Sequence, residues 1–154
     1  MKEHVRNSVK AVIITDGKIL LLQKRDGNSL YTVLPGGGQK TGEPLPEALR
    51  RECLEEINAR VVVGELLFVR DYISDNHEFA ESSAHAHQVE FLFACQLSDD
   101  YQPRSGPAPD RGQQQVLWVP LSALEQANFY PRAVVPYLRQ PKAADHPVYL
   151  GDVN

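Results

Sequence analysis

Between Gly37 and Ala59 the chain reads GGQKTGEPLPEALRRECLEEINA, and three of its glutamates crowd a single helical turn. At about 3.6 residues per turn, Glu52, Glu55 and Glu56 fall within an arc of about 100° on one helix face. Leu45, Leu49, Cys53 and Ile57 recur at i,i+4 steps and form an apolar stripe. The spacing predicts a helix from about Pro44 to Ile57. Pro44 and Pro46 suit its first turn, and Asn58 suits its end because asparagine tolerates the left-handed cap. Like charges at i,i+4, such as Glu52 and Glu56, destabilise an isolated helix. Something positive should therefore lie over the acidic face. Hard divalent cations take carboxylate oxygens, and Mg²⁺ commonly arrives with phosphates. The pattern points to a metal-dependent enzyme acting on a phosphate compound.

Strand signals dominate the rest. Ser8–Thr15 and Lys18–Gln23 flank an Asp16-Gly17 turn and are expected to pair as a hairpin. Leu30–Leu34 reads as a short strand stopped by Pro35, and Gly36-Gly37-Gly38 as the start of a flexible loop reaching Gly42. Ala59–Ile73 is a long strand candidate, Ser74–Ser83 a polar loop, Ala84–Leu97 another strand and Val116–Val119 a short one. Ser98–Gly112 reads as an exposed loop. Pro120–Gln126 suggests a helical turn and Pro131–Gln140 a short helix, while Pro141–Asn154 has no clear periodicity. The expected fold is α+β: a mixed β-sheet flanked by helices, an α/β/α sandwich formed by one domain over 1–154.

The 154-residue chain is long enough for one domain with a real core. Its formal charge of −4 does not favour nucleic acid or anionic membrane, so a polyanionic substrate needs a metal or a few placed Lys and Arg. Apolar runs such as Ala11–Ile14 are too short to span a bilayer. The first residues carry no signal-peptide core, so a cytoplasmic protein is expected. Cys53 and Cys95 have no metal-ligand spacing and read as small buried hydrophobes.

The full spacing is more specific. Gly37, five residues, Glu43, seven residues, Arg51-Glu52, Cys53, one residue, Glu55-Glu56, one residue, Asn58 and Ala59 together resemble the Nudix box, G-x5-E-x7-R-E-U-x-E-E-x-G-U with U aliphatic. Two positions depart. Cys53 stands for the aliphatic residue and Asn58 for the last glycine, and both substitutes are physically mild. The flanking LLLQKR, LPGGG and VLWVPLSAL runs also look like this family. The resemblance implies the Nudix fold and hydrolysis of a nucleoside diphosphate linked to another moiety, with water attacking phosphorus. It implies Mg²⁺ or Mn²⁺ held by Glu52, Glu55 and Glu56, with the Gly36 carbonyl as a further ligand. Arg51 joins the catalytic set by orienting carboxylates. The general base is left open between Glu52 and a carboxylate outside the box.

Outside the box, Glu90 is a charge in an otherwise apolar strand. It is read either as a cleft residue touching substrate or metal, or as an edge or salt-bridged glutamate. Lys24 and Arg25 end a strand near the cleft and could reach phosphates, or be solvated. His85 and His87 share a strand face but lack a third ligand. Tyr31, Phe129 and Trp118 could stack on a base, or pack in the core. The loop Ser98–Gly112 with Gln113–Gln115 is expected to shape the leaving-group pocket. The partner is a small nucleotide-type diphosphate such as a nucleoside triphosphate or ADP-ribose, not nucleic acid or membrane, and a homodimer is left open. The alternative is a Nudix-fold module that binds a nucleotide without hydrolysing it. The intact glutamate set argues against it, since a pure binder has no need of so many repelling acids.

Overall fold

The computed structural model describes residues 4–77, 85–143 and 145–154. In chain order the strands are β1 (Arg6–Val12), β2 (Ile14–Thr15), β3 (Lys18–Asp26), β4 (Ser29–Val33), β5 (Gly36–Gly38), β6 (Val62–Ile73), β7 (His87–Gln96), β8 (Gln113–Pro120) and β9 (Tyr149–Asp152). Helix α1 is Leu45–Ile57 and α2 is Val135–Arg139. Single 3₁₀ turns occupy Ser74–Asn76, Leu121–Ala123 and Arg132–Val134. Of the polar loop expected over 74–83, the start is the 3₁₀ turn Ser74–Asn76, and the part from 78 onward lies outside the described residues, as does the strand start expected at Ala84.

A mixed sheet runs β5-β1-β7-β6-β9, with β1–β7 and β6–β9 parallel and the other pairs antiparallel. A second, antiparallel sheet centres on β3, which pairs with β8 along one edge and with β4 and β2 along the other. The expected α+β architecture is present, with the strands divided between two sheets.

Strand β3 shows how the core is layered. Ile19, Leu20, Leu21 and Leu22 are all fully buried. With a period of two, Leu20 and Leu22 pack with Leu49, Cys53 and Ile57 of α1, while Ile19 and Leu21 pack with Phe68, Leu124, Phe129 and Leu138 on the other side. Each such side chain contributes roughly 1.5–3 kcal/mol when fully buried. A strand apolar on both faces is what a sheet covered on two sides requires.

Three local expectations are corrected. The first hairpin is only two residue pairs long, Ile14↔Ile19 and Thr15↔Lys18. The chain leaves the first sheet at Ile13, so β1 pairs with β5 and β7 instead. Gly36–Gly38 is not a flexible loop but an edge strand, with Lys10↔Gly36 and Val9↔Gly37 in register. Gly36 has φ +138°, and a Cβ there would lie 1.9 Å from the Val9 carbonyl oxygen, so only glycine lets the two backbones close. The featureless stretch after Pro141 contains β9, paired in parallel with β6. Four residues forming one side of a mixed pairing leave almost no periodic trace.

Helix α1 ends as the sequence suggests. Asn58 takes the left-handed conformation (φ 52°, ψ 43°), and the Ala59 N–H reaches back to the Cys53 carbonyl at 3.4 Å.

Candidate active site

Helix α1 lays its acidic face over the glycine strand β5. The Gly36 N–H donates to Glu56 Oε1 at 2.7 Å. One turn earlier the Glu52 carboxyl sits beside Gly37, where an added Cβ would meet its carboxyl carbon at 2.7 Å. The two carboxylates therefore rest on adjacent glycines, and a side chain at Gly37 would take the space of the Glu52 carboxyl. Glu56 is 3% exposed. Burial pushes its carboxyl up to about 7, against the pull of Lys10 and the Gly36 N–H.

Arg51 organises the outer side of this face. Its Nη2 donates to Glu43 Oε1 at 2.6 Å and its Nε to Glu43 Oε2 at 3.1 Å, a two-pronged pairing. Nη1 reaches Glu52 at 2.9 Å and Glu55 at 3.4 Å, and Nη2 also donates to the Gly38 carbonyl at 2.9 Å. The hydrogen bonds from Arg51 and from the Lys40 N–H hold Glu43 down at about 2. Arg51 thus joins the loop at Glu43, strand β5 and two of the three clustered glutamates.

Lys10, not singled out in the sequence, is the link to the neighbouring cavity. Its Nζ donates to the Gly36 carbonyl at 3.3 Å, the oxygen expected to face a metal. It also lines a cavity of about 520 Å³, within the usual range for small-molecule sites. Lys24, Tyr31, Arg70, Tyr72, Glu90 and Tyr130 are among the other walls. Lys24 pairs with Asp110 at 2.8 Å. Glu90 is salt-bridged, with Arg70 Nε at 2.8 Å from Oε1, and it lines the cavity. Arg25 is exposed and does not line the cavity, whereas its neighbours Lys24 and Asp26 do.

The remaining candidates settle on structural partners. His85 pairs with Asp75 and His87 with Asp71, both at 2.8 Å. Phe129 is buried in the core beside Ile19 and Leu21, Trp118 packs against the core on the opposite, α1 side of β3, and Tyr31 lies edge-on to Tyr130 in the cavity wall. Burial pushes both thiols up, Cys95 to about 12, so they are inert packing groups. The loop over 98–112 does not wall the cavity. Instead it covers the end of α1: the Gly106 N–H donates to the Glu56 carbonyl, the Ala108 N–H to the Glu55 carbonyl, and Tyr101 Oη to the Ile57 carbonyl. These are the helix-end acceptors that need donors. Lys10, Asp110 and Arg70 were missed. For Lys10 the signal was the one that marked Glu90, a lone charge in an apolar strand.

Among the described residues, no three acidic, histidine or cysteine side chains converge into a preformed cage. Arg51 draws Glu52 and Glu55 to one side, and the Gly36 N–H holds Glu56. The donor chemistry nevertheless fits a hard divalent ion: carboxylate oxygens one turn apart, a backbone carbonyl in reach, and no thiol or imidazole. The ammonium of Lys10 at the Gly36 carbonyl shows that this spot accepts positive charge.

A family model for the NUDIX domain matches residues 4–138. The nucleoside triphosphatase NudI of an Escherichia coli O139:H28 strain is 36% identical over 64 residues, covering 40% of this chain and 45% of that protein. The match thus spans less than half the length of this curated relative. Among solved structures, a MutT NUDIX hydrolase from Burkholderia pseudomallei is 31% identical with a TM-score of 0.59, covering 78% of this chain and 86% of that one. A NUDIX hydrolase from Nitrosomonas europaea shares the fold with a TM-score of 0.70 at 22% identity, over 90% and 88% of the two chains.

Proposed function

For a chain that belongs to the Nudix family, we propose hydrolysis of the pyrophosphate linkage of a nucleoside diphosphate derivative, with a nucleoside triphosphate as the first substrate class to test. The observation that carries this reading is the seating of Glu52 and Glu56 on adjacent glycines of β5, beside a nucleotide-sized cavity that Lys10 joins to them. The choice of substrate class is supported by the relative named a nucleoside triphosphatase.

Glu52, Glu55, Glu56 and the Gly36 carbonyl would hold Mg²⁺ or Mn²⁺. When bound, the ion neutralises phosphoryl oxygens and acidifies water. The chain's own residues do the rest. Gly36 and Gly37 bring backbone close enough for the carboxylates to face a phosphate chain without an intervening side chain. Arg51, itself held by Glu43, pairs with Glu52 and Glu55 from behind and limits the positions from which their carboxylates turn to the ion. Lys10 and Lys24 add positive charge to the cavity wall, offsetting repulsion between the acidic helix and a polyphosphate.

The test is release of pyrophosphate, phosphate or nucleoside monophosphate from nucleoside triphosphates, ADP-ribose, dinucleotides and nucleotide sugars, with Mg²⁺, Mn²⁺ or chelator. Turnover that needs the divalent ion and is lost in a folded Glu52→Gln variant is expected. Undiminished turnover by Glu52→Gln would remove the glutamate from the reaction.

A further inference from the structure

The family match stops at residue 138, yet the cavity does not. Its lining includes Asn154, carried there by the segment that follows β9. The Asn154 Nδ2 is buried and has no hydrogen-bond partner, one of two such side-chain atoms among the described residues. A buried donor without an acceptor is costly, and the cost is relieved when a ligand brings one.

This segment is not a loose end laid against the cavity. Arg70, paired with Glu90 in the cavity wall, also donates through Nη1 to the Val153 carbonyl. The Val153 N–H donates to the Asp71 carbonyl at 3.3 Å. Asp152 accepts from the Ile73 N–H at 3.0 Å and Asn76 Nδ2 at 2.8 Å, and lies 2.7 Å from His77 Nε2. Every residue from Asp152 to Val153 is thus tied to β6 or to the turn after it, which fixes where Asn154 stands.

Its position says which part of a nucleotide it would meet. Strand β5, on which Glu52 and Glu56 of α1 rest, is one edge of the mixed sheet, and β9 is the other. Four strand spacings of about 4.8 Å separate those edges, roughly 19 Å. Phosphates at the glutamate end leave the nucleoside pointing towards β9. With the phosphates drawn to the glutamate site and to Lys10, the amide of Asn154 is left for the uncharged end of the ligand, where a ring nitrogen or exocyclic carbonyl is the acceptor.

We propose that Asn154 is a base-selecting residue, whose side-chain amide donates a hydrogen bond to a nucleobase acceptor and which the Arg70–Val153 tie holds in place. This inference rests on the hydrolase reading above and adds the residue that would set its preference. Sites built to hydrogen-bond a substrate discriminate strongly against analogues that leave the donor unpaired.

The experiment measures kcat and KM for ATP, GTP, CTP and UTP and their deoxy forms with Mg²⁺, comparing the parent with Asn154→Ala and Asn154→Asp. Thermal unfolding confirms that each variant folds. Expected for Asn154→Ala is a loss of about tenfold in kcat/KM for the preferred base, carried by KM, with smaller losses for the others. Asn154→Asp, which turns a donor into an acceptor, should change the ranking of bases. Losses equal for every base, or no change at all, would overturn the inference and leave the hydrolase reading standing. A parent protein that turns over no nucleotide in the wider panel would instead overturn the hydrolase reading, and the base-selecting role with it. An Arg70→Lys variant adds a second arm: it should reproduce the Asn154→Ala pattern, because it keeps the charge but cannot reach Glu90 and Val153 with the same planar fork.

Discussion

Arg51 and Glu43 stand eight residues apart and meet through two bonds, Nη2 to Oε1 at 2.6 Å and Nε to Oε2 at 3.1 Å. The same guanidinium reaches Glu52 and Glu55. The pairing joins the loop before α1 to the acidic face, so the carboxylates are held from behind. An Arg51→Lys substitution keeps the charge but loses the fork. Activity is expected to fall by about 10–100-fold, as for other residues that orient metal ligands, with the thermal midpoint little changed. Steady-state kinetics with calorimetry checks this.

Gly37→Ala tests the cradle from the opposite side. Its Cβ would lie 2.7 Å from the Glu52 carboxyl, too close for both to stay. The glutamate must swing away, and a misplacement of about 1 Å in a reacting constellation can cost about 10²-fold in rate. Circular dichroism should report an unchanged fold while turnover drops.

Glu90 and Arg70 form a pair that is almost fully enclosed, 8% and 5% exposed. Burial alone would raise the Glu90 carboxyl, but Arg70 and Lys10 outweigh it and the net shift is downward from the ordinary 4.5. A depressed folded value means that the ionised form is favoured by folding. Its stabilisation is complete well above pH 4.5 and is lost as pH falls through the depressed folded value. Glu90→Gln should therefore destabilise the protein at pH 7 by about 3–5 kcal/mol, because Arg70 is left buried without its counter-charge. The difference between parent and variant should shrink as pH falls below about 4.5. Urea unfolding at pH 7 and at several values below 4.5 measures both parts.

Cys53 and Cys95 are both free and buried, and burial holds both thiols protonated. Neither is expected to react with a disulfide reagent at pH 8 in the folded protein, and both should react once it is unfolded in guanidinium. Rapid modification of the native protein would contradict the packing of α1 against β1 and β7.

Much of α1 was legible because a helix writes its contacts locally. Residues at i,i+4 share a face, so Leu49, Cys53 and Ile57 named the buried stripe, and the spacing to Glu43 and Gly37 carried the family resemblance. Asn58 was legible for the same reason, as a left-handed cap is a property of one residue. Glu56 was read only in part. Its helical position was plain, but its burial depends on β5, which the sequence presents as three glycines and no pattern. Gly36–Gly38 become a strand only because β1 lies alongside, and glycine carries no side chain to announce it.

By itself the sequence determined the acidic helix, a strand over Lys18–Gln23 and the spacing of a family motif, all set by neighbours within about one turn or one strand length. Only the tertiary structure decided that β1 leaves its hairpin partner at Ile13, that Lys10 meets Gly36, that Asp110 pairs with Lys24, and that Asn154 reaches the same cavity as Tyr31. Those pairs are separated by tens of residues or more. Their meeting depends on strand order and on which way each strand runs, and no local periodicity records either.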